Sequence, residues 1–362
     1  MEKIRRIGVL TSGGDAPGMN AAVRAVTRKA LGEGIEVMGI IGGYSGLIED
    51  NIVQMKSGSV SNIISRGGTM LYSNRCLEFK TEEGMAKAIA TCKRHNIDAI
   101  VAIGGDGTFR GATDLSLRGI PTIGVTGTID NDITATDYTV GYDTAMNTLV
   151  ETLDRLRDTC ESHARCNVLE VMGRGCGLLA LNSGIATGAM GICIPEVEFD
   201  EKKMIDGIRT AKENGKRGMV VVVSEAMTTV DANGNQVPYG EVLAKKIEKE
   251  TGVETKFARL AHVVRGGSPT LRDRLTATRM GVKAVELLIS GESNKVVIED
   301  DGEITSLDIV FALTTDRMYK GKLKDGDLDK FSAEEIAQME AICEKRLKEI
   351  RDIYKIAEEI RR

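Results

Sequence analysis

Between Ile103 and Thr108 the chain reads Ile-Gly-Gly-Asp-Gly-Thr, three glycines around one carboxylate. Glycines let a ligand come close to the backbone and leave Asp106 open to a metal ion. Mg²⁺ is usually held by one or two carboxylates together with phosphate oxygens, so this turn suits a metal–polyphosphate complex. The bland alternative is a tight turn in which Asp106 only caps a helix. Further on, Gly127-Thr128-Ile129-Asp130-Asn131-Asp132 sets two carboxylates two residues apart. In extended backbone they project the same way, and one can take a hydroxyl proton while the other handles metal or charge. A solvated acidic turn is the alternative, and a second glycine–carboxylate turn in the same half-domain counts against it. Near the N-terminus, Thr11 to Asn20 contains Gly13-Gly14 and Gly18. Such a turn before a helix can hold an anion on its amides, and it serves equally well as a plain structural turn. A basic set completes the inventory: Arg155, Arg157 and Arg165, then Met172-Gly173-Arg174-Gly175, then His262-Val263-Val264-Arg265-Gly266-Gly267-Ser268-Pro269. Arginine forks match phosphate geometry, and glycine-flanked arginines after strands suit a phosphorylated substrate better than a surface salt bridge.

Short apolar runs must position these turns. Ile7–Leu10, Val37–Ile40, Ala99–Ile103 and Ile120–Val125 read as strands, with helices over Met19–Leu31 and Ala86–His95. Asn167–Val171, Ile192–Ile194 and Met219–Val223 repeat the strand pattern, followed by a polar turn at Asp231–Asn235 and a helix over Val242–Glu250. Alternation of this kind predicts an α/β fold with mostly parallel sheets covered on both faces, whose ligands sit at the carboxyl ends of the strands. The glycine clusters fall at those ends. At the C-terminus, Ser332 with Glu335 has the spacing of a capping box. Ile336, Met339, Cys343, Leu347, Ile350 and Tyr354 then recur every three or four residues, which predicts one long amphipathic helix docked on its own domain, with a subunit contact as the alternative.

Composition removes several function classes. The 362 residues carry a net charge of −5, which argues against general affinity for nucleic acid or an anionic membrane. Tryptophan is absent and aromatic residues make up 4%, so no base-stacking platform is expected. Seven cysteines without Cys-x-x-Cys spacing read as free thiols of a reducing compartment. The N-terminal apolar segment after Met1-Glu2-Lys3-Ile4-Arg5-Arg6 ends at Leu10, too short for a signal peptide, and no run is long enough to span a bilayer, so the expected location is cytoplasmic.

Leu10–Asn20, Ser65–Thr69, Ile103–Thr108, Gly127–Asp132, Asp154–Asp158, Glu170–Arg174 and Arg265–Pro269 occur in an order and at spacings that resemble the 6-phosphofructokinase family. The likeness runs from about Lys3 to about Gly321. The Gly-Gly-Asp-Gly turn alone is also similar to those of nicotinamide-nucleotide and lipid kinases, so it is the ordered set that is specific. The resemblance implies two doubly wound, mostly parallel-sheet domains with the active site in the cleft between them, usually a homotetramer. It implies Mg²⁺ as cofactor, ATP as phosphoryl donor and fructose 6-phosphate as acceptor, with no nucleic-acid or membrane partner. Each domain is expected to be discontinuous: 1–140 with about 255–305 for the nucleotide, 141–254 with about 306–325 for the sugar phosphate, and 326–362 as a helical extension.

By the same resemblance, Gly14, Arg75, Cys76, Gly105, Asp106, Gly107, Thr108 and Gly111 match nucleotide-site positions, Asp106 being the metal position. Asp130 matches the base for the sugar hydroxyl, accompanied by Thr128 and Asp132, and Arg174 faces the transferring phosphoryl group. Met172, Gly173, Glu225, His262 and Arg265 match sugar-phosphate positions. Arg165 and Lys256 match residues that reach that site from a neighbouring subunit, with Lys256 in place of a usual arginine. Arg24, Arg28, Arg157 and Lys216 match basic positions of an effector site, where Asn51, Asn214 and Met190 replace the expected arginine, lysine and metal-binding glutamate. Tyr72 and Asn74 replace small residues, and the helix after Ser332 runs past the usual end of bacterial relatives. Pyrophosphate-dependent relatives typically carry aspartate at Gly107 and lysine at Gly127, so the two glycines favour ATP; a pyrophosphate-dependent enzyme of the same fold is the alternative. A dinucleotide-binding oxidoreductase is disfavoured by Pro17 within the first glycine turn. A catalytically dead subunit is disfavoured because Asp106 and Asp130 are both present.

Overall fold

The computed structural model describes residues 4–231 and 233–360. Met1–Lys3 of the N-terminal segment and Ala232 of the expected polar turn lie outside the described residues. In chain order the elements are β1 (Arg6–Thr11), α1 (Met19–Gly32), β2 (Glu36–Ile40), α2 (Tyr44–Ile48), β3 (Ile52–Met55), α3 (Glu82–Arg94), β4 (Ala99–Gly104), α4 (Asp106–Leu117), β5 (Thr122–Thr126), α5 (Tyr142–His163), β6 (Cys166–Val171), α6 (Leu178–Ala186), β7 (Gly191–Cys193), α7 (Glu201–Glu213), β8 (Met219–Ser224), β9 (Thr228–Val230), β10 (Gln236–Pro238), α8 (Tyr239–Thr251), β11 (Thr255–Arg259), α9 (Leu271–Ile289), β12 (Lys295–Asp300), β13 (Glu303–Asp308), α10 (Ile309–Tyr319) and α11 (Ala333–Ile360). The chain divides into two compact units. The first runs through Ile129 and adds Ile133–Thr144 and Arg265–Cys343; the second comprises Asp130–Asp132, Ala145–Val264 and the chain from Glu344 onward.

The first unit holds a seven-stranded sheet in the order β13-β12-β5-β4-β1-β2-β3. Its central pairs are parallel, and the two edge pairs, β2–β3 and β12–β13, are antiparallel. β4 is buried along its whole length because helices cover both faces, which is why it reads as an unbroken apolar run. Leu10, Ile40, Phe109 and Ile100 lie in the core. Local chemistry sets the helix ends. Thr81 accepts from the Gly84 N–H to cap α3, whose first turn is acidic and last turn basic. Asp308 caps α10 by accepting from the Val310 and Phe311 N–H groups.

The second unit is built on a four-stranded parallel sheet, β11-β6-β8-β7, with a small antiparallel ribbon of β9 and β10. The Met219–Val223 run is fully buried in β8, and Val168, Val221, Leu243 and Ile247 are part of its core. The α/β class with mostly parallel sheets is therefore as expected. The ribbon brackets the polar turn, where Asp231 accepts from the Asn233 and Asn235 N–H groups. The stretch carrying Arg155 and Arg157, read only as polar, is a 22-residue helix. The C-terminal helix forms as expected: the Ser332 N–H donates to Glu335 and the Glu335 N–H to the Ser332 hydroxyl, and Met339, Cys343, Ile350 and Tyr354 are buried. All seven cysteines are free thiols. Among the described residues, no helix is long and apolar enough to cross a membrane.

Candidate active site

In the first unit, the loops after β1, β4 and β5 interlock through glycines. A Cβ at Gly104 would stand 2.3 Å from the Thr108 hydroxyl and 2.4 Å from the Ser12 carbonyl, so only glycine permits the approach. Through it the Thr108 hydroxyl donates to the Ser12 carbonyl at 3.1 Å, and the Gly127 N–H donates to the Gly104 carbonyl at 2.9 Å. Gly105 precedes α4, and Asp106 is its first residue, where the helix N-terminus favours a negative charge. One Asp106 oxygen pairs with Arg110 at 2.7 Å; the other, Oδ1, is buried with no hydrogen-bond partner. An added Cβ at Gly107 would touch nothing, so open space adjoins this carboxylate. An orphaned carboxylate oxygen beside free volume at a helix N-terminus suits a hard cation.

Gly14 lies under the guanidinium of Arg265, which a Cβ at Gly14 would meet at 2.5 Å. Arg265 also donates to the Asp15 carbonyl at 3.3 Å. Arg265 is thus held on the first loop of this unit. The segment that carries Arg75 and Cys76 is pinned over the same loop. Asn20 donates to the Arg66 carbonyl and accepts from the Met70 N–H, Thr11 donates to the Tyr72 carbonyl, and Ser73 donates to the Gly13 carbonyl at 2.6 Å. Gly111 is placed apart from the loop glycines: it is buried on α4, where a Cβ would strike the rings of Tyr44 and Phe79. Thr128 is buried, and its carbonyl accepts from the Thr139 hydroxyl at 2.6 Å. The segment that follows hangs on Asp273, whose buried carboxylate accepts from the Tyr138 hydroxyl, the Gly141 N–H, and both the N–H and hydroxyl of Thr144.

In the second unit, Asp130, Asn131 and Asp132 are buried, and Asn131 adopts φ of 47°. Asp132 faces Arg174 at 3.9 Å. Gly173 needs its φ of 141° and its missing side chain, since a Cβ would stand 2.4 Å from the Cys176 carbonyl. That turn presents Arg174, whose N–H donates to Glu225 at 2.7 Å. Beside it is a cavity of about 330 Å³ lined in part by Met172, Glu225 and His262, together with Glu170, Thr228 and Arg259. Arg259 pairs with the buried Glu170 at 2.6 Å. Met172, Gly173, Arg174, Glu225 and His262 are therefore brought together.

A family model described as phosphofructokinase matches residues 6–288. The chain belongs to the phosphofructokinase family. It is 50% identical over 320 residues to ATP-dependent 6-phosphofructokinase 1 of Clostridium perfringens, covering 88% of this chain and 97% of that protein. It is 48% identical over 316 residues to the ATP-dependent 6-phosphofructokinase of Clostridioides difficile, covering 87% of this chain and 96% of that protein. Among solved structures, phosphofructokinase from Saccharomyces cerevisiae matches with a TM-score of 0.79 at 32% identity over 95% of this chain, which spans about half (50%) of the yeast chain. A pyrophosphate-dependent phosphofructokinase from Marinobacter aquaeolei matches with a TM-score of 0.73 at 21% identity over 84% of this chain and 83% of its own, a likeness of fold alone.

Two family-derived groups lie elsewhere. Arg165 precedes β6 and Lys256 lies near the start of β11, whereas Glu170 and Arg259 pair in register near the far ends of those strands. Arg165 and Lys256 both clasp Glu254, at 2.7 and 2.9 Å, and hold its carboxyl down to about 2. One chain does not bring them to its own cavity. Of the effector-type residues, Arg24 and Arg28 lie one turn apart on α1. Arg157 donates to the Thr187 carbonyl, and the Lys216 ammonium is 3.1 Å from the Met190 sulfur. The sequence alone does not single out Arg259 or Asp273. Asp273 had a signal, Thr270 three residues before it at capping distance; Arg259, at the end of a short strand, had none.

Proposed function

We propose that the protein transfers the γ-phosphoryl group of ATP to fructose 6-phosphate, giving ADP and fructose 1,6-bisphosphate in glycolysis, and that it does so in the cytoplasm as a homotetramer. The observation that carries this reading is the 50% identity, over nearly the whole of their length, to proteins named for that reaction. On this reading the first unit supplies the nucleotide side through Gly14, Arg75, Cys76, Gly105, Gly107 and Thr108, while Gly111 lets α4 pack on Tyr44 and Phe79 behind them. The second supplies the sugar-phosphate side through Met172, Gly173, Glu225 and His262, and Arg259 joins them because it lines the same cavity. Arg265 adds charge for phosphate. Arg165 and Lys256 serve a neighbouring subunit, exchanging Glu254 for phosphate.

Asp106 would hold Mg²⁺, since its buried Oδ1 lacks a partner in a setting open to solvent-sized ligands. When bound, the ion would supply positive charge to offset that on the phosphate groups. Asp130 takes the proton of the sugar hydroxyl. That oxygen forms the new bond to the γ-phosphorus while the bond from phosphorus to the β–γ bridging oxygen breaks, and ADP leaves with its electron pair. Thr128 and Asp132 orient the acceptor. Arg174, exposed and facing Asp132, and Arg75 offset charge that grows on the transferring group. A coupled assay for fructose 1,6-bisphosphate, run with ATP and with pyrophosphate on fructose 6-phosphate, tests the reading. Faster turnover with pyrophosphate than with saturating ATP would overturn the choice of donor.

A further inference from the structure

α11 lies wholly beyond the stretch that the family model matches, which ends at residue 288. The 320 residues matched to the Clostridium perfringens protein are 97% of that protein but only 88% of this chain, so the relative is the shorter of the two. The helix nevertheless reaches the most chemically loaded turn of the second unit. Arg346, part-buried, donates from Nη2 to the backbone carbonyl of Asn131 at 2.7 Å. Asn131 stands between Asp130 and Asp132, and it holds a left-handed φ of 47°, a conformation that residues other than glycine adopt infrequently. The carbonyl that Arg346 holds belongs to the peptide leading into Asp132. Rotation of that peptide would re-aim the Asp132 carboxylate, which now faces Arg174 at 3.9 Å.

The arginine is itself fixed. Ile350 and Tyr354, one and two turns further along α11, are buried; the Tyr354 hydroxyl donates to the Ile192 carbonyl at 3.2 Å, and Glu358 pairs with Lys203 at 2.9 Å. The charge of Arg346 also acts on Glu196, whose carboxyl burial pushes up while the Gly177 N–H and Arg346 pull it back. Carried on a helix docked through Ile350 and Tyr354, the guanidinium is delivered to the Asn131 carbonyl, and a charged donor makes the stronger kind of hydrogen bond.

We propose that Arg346 is a positioning residue for the phosphoryl-transfer reaction: the C-terminal helix clamps the Asn131 carbonyl and so sets the aim of Asp130 and Asp132. The proposal rests on the acid–base role given to that turn above. It differs from ordinary helix docking because it requires the guanidinium at 346, and not merely a docked α11.

The test uses the full-length protein with three variants. Arg346→Met keeps the stem and removes the donor, Arg346→Lys keeps a charge and one donor, and Tyr354→Phe removes a docking hydrogen bond elsewhere on the helix. Steady-state rates are measured with ATP and fructose 6-phosphate, alongside thermal melts and hydrogen exchange of the peptide spanning residues 128–134. Losing one charge-assisted hydrogen bond that holds a reacting geometry predicts that Arg346→Met lowers kcat by about tenfold or more, with KM for fructose 6-phosphate within about twofold. Arg346→Lys should recover part of the rate. Exchange over 128–134 should quicken in Arg346→Met and not in Tyr354→Phe. If Arg346→Met keeps kcat within about twofold, or if Tyr354→Phe loses as much, the helix only docks and the proposal fails. Wild-type protein inactive with these substrates would sink the proposed reaction instead, and the exchange measurement would still decide whether Arg346 holds the turn.

Discussion

On the proposed reading, Gly107 separates what the fold needs from what the nucleotide needs. It is the second residue of α4, and a Cβ there meets no atom of the protein. Gly107→Asp should therefore fold. Replacing a helical glycine and adding an acid in the first turn each stabilise by about 0.3–1 kcal/mol, and repulsion from adjacent Asp106 offsets part of this, so stability should stay within about 1 kcal/mol. The effect on ATP is of another size. With Gly107 against the donor as proposed, and a separation taken as about 5 Å, a new carboxylate is repelled by a phosphate charge by 332/(εr), about 0.8–3.3 kcal/mol for effective dielectric constants of about 80 to 20, or roughly 4- to 250-fold in kcat/KM. Steric intrusion on the α-phosphate and nucleoside adds to that for ATP and not for pyrophosphate. Gly107→Ala, a methyl in open space, should stay within about threefold, which isolates the carboxylate. The assay is kcat/KM for ATP and for pyrophosphate at saturating fructose 6-phosphate, with a thermal melt of each variant. A folded Gly107→Asp protein using ATP within about twofold of wild type would refute the placement of Gly107 against the donor.

Asp130→Asn should lower kcat by about two to four orders of magnitude with little change in sugar-phosphate KM, and near-normal turnover would remove Asp130 from the role of base. Glu254 gives a pH test. Its folded pKa is held down to about 2, so the stability from its pairing with Arg165 and Lys256 is present above the unfolded value of 4.5 and is lost as pH falls through about 2. The melting point of wild type should exceed that of Glu254→Gln at pH 6, and the gap should close between pH 4.5 and about 2; no gap at pH 6 would mean that the clasp contributes nothing. For effectors, Arg157 is engaged by Thr187 and Lys216 lies against Met190, where a metal-binding carboxylate was expected. Fructose 6-phosphate saturation curves should superimpose with and without millimolar ADP or phosphoenolpyruvate, after correction for competition at the active site. A large change in Hill coefficient would contradict this.

Residues that act through a contiguous turn were legible, because a strand end followed by glycines and a carboxylate is a local pattern with a local cause. Gly104 is there since nothing larger clears Ser12, and the sequence around it announces the turn without the rest of the fold. The residues that hold those turns in place were not legible, because their partners are remote. Asp273 organises a segment 129 to 135 positions earlier, and Arg346 reaches back 215 positions to Asn131. At the level of sequence Arg346 is one charge among many on an amphipathic helix, and its apolar stripe accounts for docking but not for aim. Its position does carry a clue. It follows buried Cys343 by three residues and precedes buried Ile350 by four, so it borders the stripe on the side that enters the protein. A long side chain at such a border can lay its stem on the core and deliver its head to an acceptor beyond it. What the acceptor is depends on topology, and here the sheet order and the return of the C-terminal helix make it the peptide between the two carboxylates.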